Sequence, residues 1–393
     1  MRPILILWHR YVGLLLAPFL TIAAVTGILL TWNAALERVF APSLFVLAAS
    51  AKAPQAALDA FELRDRALIA FPGARIDGID LMQLPDAPMR FYLSTAPGAD
   101  PLPFDEIALH PVSGRLLGAR RNGDITQGLI NVMPFIYRIH DSLALGGPGA
   151  TVLGLAGLLW FVDCMIAAAL TLPTRANPHR TPLAWMVKWR EAWGVRRRSG
   201  EWRLRFDLHR AGGLWPWPVM LVLALSSVAF NLPQVYRPVL RTLTGYDIAS
   251  ETLPDATSPE LPPKLDLRAG YTTAKSAMHA AALREGFAIR TERLIYFDAS
   301  KRAYVYRVNS NRDAGTRATT QIYVDADDGA VLALDVPNRR SAGRTLTDWI
   351  INLHTAKVFG WPMKLVLTLS GVAVLLLNVT GVMIYLRKRR ARI

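Results

Sequence analysis

Four apolar runs organise the chain, at 12–33, 149–172, 214–232 and 363–386. Each is long enough to cross the ~30 Å of bilayer hydrocarbon as a helix. The pattern changes after the first run and again after the third. Residues 56–71 and 272–286 carry apolar positions at helical spacing. Short strand-like runs follow each, at 75–82, 90–94 and 104–109, and at 289–297, 303–308 and 320–324. Each stretch closes in a hairpin-like pair whose turn holds Gly114 or Gly329, a residue suited to the left-handed conformation. The expected fold class is a membrane α-helical bundle of four transmembrane helices plus two exported α+β lobes.

The expected divisions follow directly. They are a first helix at 1–33, a lobe at 34–138 and a second helix with its leading histidine at 139–172. A connector at 173–208, a third helix at 209–232 and a second lobe at 233–352 come next. A fourth helix with its histidine at 353–386 and a tail at 387–393 complete the chain. Helix, lobe, helix therefore occurs twice in the same order, as in a parallel duplication about the membrane normal.

Charge sets the direction. Only 19% of residues are charged, against about a quarter in soluble domains, yet the net charge is +15. The excess sits beside apolar runs. The connector carries Arg175, Arg180, Lys188, Arg190, Arg196, Arg197, Arg198, Arg203, Arg205 and Arg210, and the tail carries Arg387, Lys388, Arg389, Arg390 and Arg392. Cationic flanks stay in the cytoplasm, so both termini are expected there and both lobes outside, periplasmic in a Gram-negative inner membrane. Basic residues are not interleaved with aromatics, so no nucleic-acid partner is expected; the partner implied by the runs is membrane lipid. The first run is too long for a signal peptide, and the small residues Ala48, Ala49 and Ser50 lie too far downstream for cleavage. The one cysteine, Cys164, excludes an internal disulfide and any cysteine-based metal cluster.

Four of the seven histidines recur in register. His9-Arg10 is followed by Gly13, and His209-Arg210 by Gly213, each glycine four residues after its histidine. His140 and His354 are each followed by glycine six and seventeen residues later, at Gly146 and Gly157 and at Gly360 and Gly371. The duplication relates His9 to His209 and His140 to His354. Each pair is expected to face its partner across the bundle, one near each membrane face. Two imidazoles on facing helices are the axial set of a low-spin haem. With no Cys-x-x-Cys-His, attachment is non-covalent, so the expected cofactors are two bis-histidine haem b groups. His9, His209, His140 and His354 are then the metal ligands. Gly13 and Gly213 leave room for the macrocycle, and Arg10 and Arg210 pair with its propionates. The competing reading is that these histidines anchor helix ends at the interface.

His110, His179 and His279 read as solvated surface. Asp163, inside the second run, is a costly intramembrane carboxylate. It is protonated, paired with Ser226 or Ser227, or part of a proton path.

Trp8-His9-Arg10-Tyr11-Val12-Gly13, the inner His209-Arg210-Ala211-Gly212-Gly213, the two later histidines with their glycines, and the two lobes together resemble the PepSY-associated transmembrane family over almost the whole chain. Within it the chain looks most like the inner-membrane ferric-siderophore reductases of the ferrioxamine type. That resemblance implies a di-haem oxidoreductase delivering electrons to a periplasmic ferric siderophore, of hydroxamate type, with release of Fe(II). Arg302, Tyr304, Tyr306 and Arg307 could supply the docking surface. No Gly-x-Gly-x-x-Gly unit is present, so the electron donor is expected to be a separate cytoplasmic protein or a quinol. Two other functions stay open: a haem conduit to a quinone or other periplasmic acceptor, and a non-catalytic, membrane-tethered PepSY binding module.

Overall fold

The computed structural model describes residues 1–47, 57–82, 86–173, 182–196, 200–246, 248–259, 261–317, 319–337 and 341–390. Residues 48–50 and 56, Arg175, His179, Arg180, Arg197, Arg198 and Arg392 lie outside the described residues. The chain divides into two compact units. One comprises Met1–Trp32, Ile136–Val239 and Leu353–Ile393; the other comprises Asn33–Phe135 and Leu240–Asn352.

The first unit is helical. Arg2–Thr31, Gly147–Thr171 and Trp361–Arg390 are long and apolar enough to cross a membrane. The third expected run is not one straight helix. Glu201–Leu214 and Trp217–Asn231 meet at a 62° bend, and the pair qualifies as a fourth span only when counted together. The cause is local: Pro216 has no N–H to donate to the preceding turn, and its ring clashes with that turn's carbonyl. The chain is thus a membrane helical protein with an α+β region.

Arg2–Thr31 packs on Trp361–Arg390, and Gly147–Thr171 packs on Trp217–Asn231. Glycine sets both approaches. A Cβ on Gly371 would stand 2.7 Å from Ile28 Cγ1, and one on Gly157 would stand 2.7 Å from Ser227 Oγ. Small residues let membrane helices approach closely where lipid offers no hydrophobic drive. This explains the glycine seventeen residues after each of two histidines. The glycine six residues after them has another role. His140 and His354 lie in the last turns of short helices, Val132–Ser142 and Ala342–His354. The chain then turns into the next span through Gly146 at φ 62° and Gly360 at φ 60°, the left-handed region that glycine enters without strain.

The second unit holds both α+β segments around one core. Phe61, Leu63, Phe91 and Ile107 from the first pack in one cluster with Met278, Tyr304, Tyr306 and Ile322 from the second. The strand Gly78–Asp80 leaves its own segment and pairs antiparallel with Ile289–Asp298, with Gly78 opposite Tyr296. It becomes the edge of a five-stranded sheet continued by Ala303–Ser310, Thr320–Asp325 and Val331–Asp335. The helix Leu267–Glu285 packs against this sheet. The remaining strands of the first segment form a three-stranded and a two-stranded sheet. Two self-contained lobes were expected; pairing between distant segments fuses them, and periodicity along one strand carries no sign of that. Gly114 at φ 70° and Gly329 at φ 79° close the hairpin turns.

A buried ionic cluster ties the first segment together. Arg120 Nε donates to Glu106 at 2.7 Å, and its Nη1 donates to Glu37 at 3.0 Å. All three side chains are buried, so each charge depends on the others for the solvation it has lost.

Several side chains expected at the surface belong to the fold. Tyr304 and Tyr306 are fully buried in the core. Arg302 binds the carbonyls of Ser258 and Leu261 and the Asp327 carboxylate, and Arg307 binds Gln321 and Tyr296. These four residues brace the sheet and its loops and do not form an open docking face. His110 is also buried, and its Nδ1 accepts from the backbone N–H groups of Val112 and Ser113. It stabilises a turn and is not solvated. His279 is exposed, as expected.

Candidate functional site

The helix Arg2–Thr31 begins ten residues before the apolar run, so His9, Arg10 and Gly13 all lie on it. His209, Arg210 and Gly213 lie on Glu201–Leu214. The structure brings His9 and His209 together, with ring centres 6.1 Å apart and planes at 56°. His140 and His354 meet in the same way, at 6.2 Å and 72°.

Each imidazole is held at Nδ1. Thr26 Oγ1 lies 2.9 Å from Nδ1 of His140, Ser226 Oγ lies 2.5 Å from that of His354, and Thr380 Oγ1 lies 2.9 Å from that of His209. These hydroxyls have one proton each, and each proton is already committed. Thr26 donates to Ile22 O at 2.6 Å, Ser226 to Leu223 O at 3.0 Å, and Thr380 to Leu376 O at 2.7 Å. With the proton so placed the oxygen is free to accept, and Nδ1 then carries the hydrogen in all three histidines. His9 differs in its partner: its Nδ1 lies 3.0 and 3.1 Å from the two oxygens of Asp163. A carboxylate accepts, so the tautomer is the same. With the hydrogen on Nδ1, Nε2 keeps its lone pair in each ring. This is the state that ligates a metal.

Asp163 is thereby explained. It does not pair with Ser226 or Ser227, as the sequence allowed. Ser226 is taken by His354, and Ser227 donates to Leu153 O.

The spacing within each pair suits one metal between two rings. A metal–imidazole bond is about 2 Å and an imidazole's centre is roughly 1 Å from its ring nitrogen, which places two coaxial rings about 6 Å apart. Among the described residues no three His, Cys, Asp or Glu side chains gather as a metal-only cluster. Two imidazoles alone leave a metal short of ligands, and a macrocycle would supply the rest.

Space is present at the first pair. A cavity of about 430 Å³ is lined by His9, Gly13, Asp163, His209 and Gly213 among mainly apolar side chains. That volume falls in the range of about 300–1,000 Å³ usual for small organic ligands. A Cβ on Gly13 would meet nothing within 4 Å, and one on Gly213 would touch only Leu377. Two further glycines lie against histidine rings: a Cβ on Gly27 would stand 3.2 Å from His140 Cε1, and one on Gly381 would stand 3.2 Å from His209 Cε1. Arg10 and Lys388 also line the cavity. Arg210 lines it too, but its guanidinium is committed to the carbonyls of Glu191, Ala192 and Gly194 and to Asp207. It fastens the connector and is not the equivalent of Arg10.

Residues 6–388 match the family model described as the PepSY-associated TM region. The chain belongs to the PepSY-associated transmembrane family. No curated protein matches the sequence. The PepSY-associated region spans both histidine pairs and every Nδ1 partner.

Thr26, Ser226, Thr380, Gly27 and Gly381 were not anticipated from the sequence. The first two had a signal: Thr26 and Ser226 each stand seventeen residues after a first-type histidine, His9 or His209. Thr380 and Gly381 had none, because position 166, the repeat's counterpart of Thr380, is an isoleucine.

Proposed function

We propose that this member of the family is a di-haem electron carrier, an inner-membrane ferric-siderophore reductase. One observation carries the reading: four histidines form two facing pairs, with every Nδ1 held by a hydroxyl or a carboxylate. An interfacial anchor needs no such arrangement.

In this reading the bundle has four spans, the bent pair supplying the third, and both PepSY-like segments are exported. His9 and His209 hold the haem b on the cytoplasmic side, and His140 and His354 hold the outer one. Thr26 and His9 lie seventeen residues apart on one helix, so the two centres are separated by about 25 Å along its axis, close to the thickness of the hydrocarbon layer. Haem b supplies a one-electron ferric/ferrous couple. The paired histidines would hold it, and with both imidazoles engaged the site would pass electrons and not bind oxygen. The hydroxyls and Asp163 fix ring orientation and tautomer. Gly13 and Gly213 leave the cavity open beside the first pair, and Arg10 and Lys388 supply positive charge for propionates. The substrate, a ferric hydroxamate, binds iron through hard oxygen donors and holds Fe(II) far less tightly, so one electron releases the metal. The donor is a cytoplasmic protein or a quinol.

The test is optical. Purified full-length protein should show the bands of two low-spin b haems, and a ferric hydroxamate should reoxidise the reduced bands, with Fe(II) trapped by a ferrous chelator. A colourless protein would return the chain to the binding-module reading. Haems that ignore ferric siderophores but are oxidised by a quinone would keep the carrier and replace its acceptor.

A further inference from the structure

Three of the four histidines rest on hydroxyls, Thr26, Ser226 and Thr380, while His9 alone rests on a carboxylate. Thr26 and Ser226 keep the repeat, whereas the partners of His9 and His209 both break it: the counterpart of Thr380 is Ile166. Asp163 stands 23 residues after His140, and the position 23 residues after His354 is Leu377. Asp163 is buried and lines the same cavity as Gly13 and Gly213, and both of its oxygens are directed at one nitrogen.

We propose that Asp163 is a positioning residue that makes the His9–His209 centre the lower-potential of the two and so gives the conduit its direction. The proposal rests on the di-haem reading above. Two physical effects act in the same sense. A carboxylate accepting from Nδ1–H pulls that proton away from the ring, which makes Nε2 a stronger donor and stabilises the more electron-poor metal; a neutral hydroxyl does this far less. The buried negative charge also favours the oxidation state that carries more positive charge, the ferric one, and little solvent screens it. One electron then leaves the His9–His209 centre, which is oxidised, for the His140–His354 centre, which is reduced, and no proton need move. An ionisable group in a membrane span is retained at a cost, and a standing electrostatic bias toward outward transfer is a function that a hydroxyl at this place would not supply.

The experiment is potentiometric titration of the purified full-length protein, following the reduced haem bands and the low-spin EPR signals, for wild type, Asp163→Asn and Asp163→Glu. His209→Ala and His354→Ala identify which transition belongs to which pair. The expected result is two resolved midpoints, the lower one disturbed by His209→Ala. Asp163→Asn should raise that midpoint and leave the other in place, and Asp163→Glu should return it toward wild type. Should Asp163→Asn lose that haem, Asp163→Glu decides: a retained haem at the wild-type potential supports the proposal, and loss in both overturns it. Unmoved midpoints in an Asp163→Asn protein carrying both haems overturn the assignment of Asp163 alone. So do equal shifts in the Asn and Glu variants, or a shift in the transition disturbed by His354→Ala. A wild-type protein without haem overturns the underlying reading, and the two failures are told apart at once.

Discussion

Thr26 and His140 lie on different segments of the chain, yet the threonine oxygen stands 2.9 Å from the imidazole Nδ1 while donating to Ile22 O one turn back. Ser226 repeats this toward His354, with Leu223 O as its own acceptor. The hydroxyl works as a relay that turns a backbone carbonyl into a tautomer lock. Removing it should cost ligand affinity without removing a ligand. Thr26→Val or Ser226→Ala should weaken haem retention at the His140–His354 pair by roughly 10–100-fold, the usual effect of losing such a partner, and leave the other haem in place. Haem content after prolonged dialysis against apomyoglobin measures it. Equal loss of both haems would mean that the hydroxyls support the bundle and not the pair.

Helix packing gives a second expectation. The Cβ of a residue replacing Gly371 must displace Ile28, so Gly371→Val should force Arg2–Thr31 and Trp361–Arg390 apart. Overpacking of this kind costs about 1–3 kcal/mol. The melting temperature in detergent should fall, and Gly157→Val should behave alike because Ser227 stands as close to it. A variant that melts with wild type would show that the helix contact is loose.

Orientation is checked by reporter fusions. Fusions after Lys52 and Thr257 should report an exported compartment, and fusions after Arg198 and Ile393 a cytoplasmic one, because cationic flanks favour the inside. An exported reporter after Arg198 would invert the bundle and exchange the inner and outer pairs.

The second unit carries a pH-dependent term. Burial pushes the Asp348 carboxyl up from 3.8 to about 6, against the pull of Arg344. A raised folded value means that the fold prefers the protonated acid. The stabilisation is complete below the unfolded value of 3.8 and is lost as pH rises through about 6. At one pKa unit per 1.36 kcal/mol the term amounts to about 3 kcal/mol at most. Asp348→Asn should flatten the dependence of melting temperature on pH across this window and should be no less stable than wild type at neutral pH. A variant with the wild-type slope would place the titration elsewhere.

The composition and the register of repeats by themselves determine much of this protein. Length and hydropathy set the membrane-spanning helices, and Gly146, Gly360, Gly157 and Gly371 fell at matching distances from their histidines because both repeats must make the same turn and the same close packing. The four histidines were legible because a duplicated pattern is visible along a line. Other features depended on contacts that no local pattern records. The bend at Pro216 breaks a run that hydropathy alone reads as continuous. The strand Gly78–Asp80 crosses to a sheet some two hundred residues away. Tyr304 and Tyr306 lie beside Arg302 and Arg307 on the chain, but the helix Leu267–Glu285 and the first segment cover them. Asp163 was visible as an anomaly in an apolar run, and only the approach of the first helix decided that its partner is His9. Spacing along the chain fixes which residues can share a face; which faces meet is set by packing across the bundle, where each Nδ1 has found its acceptor.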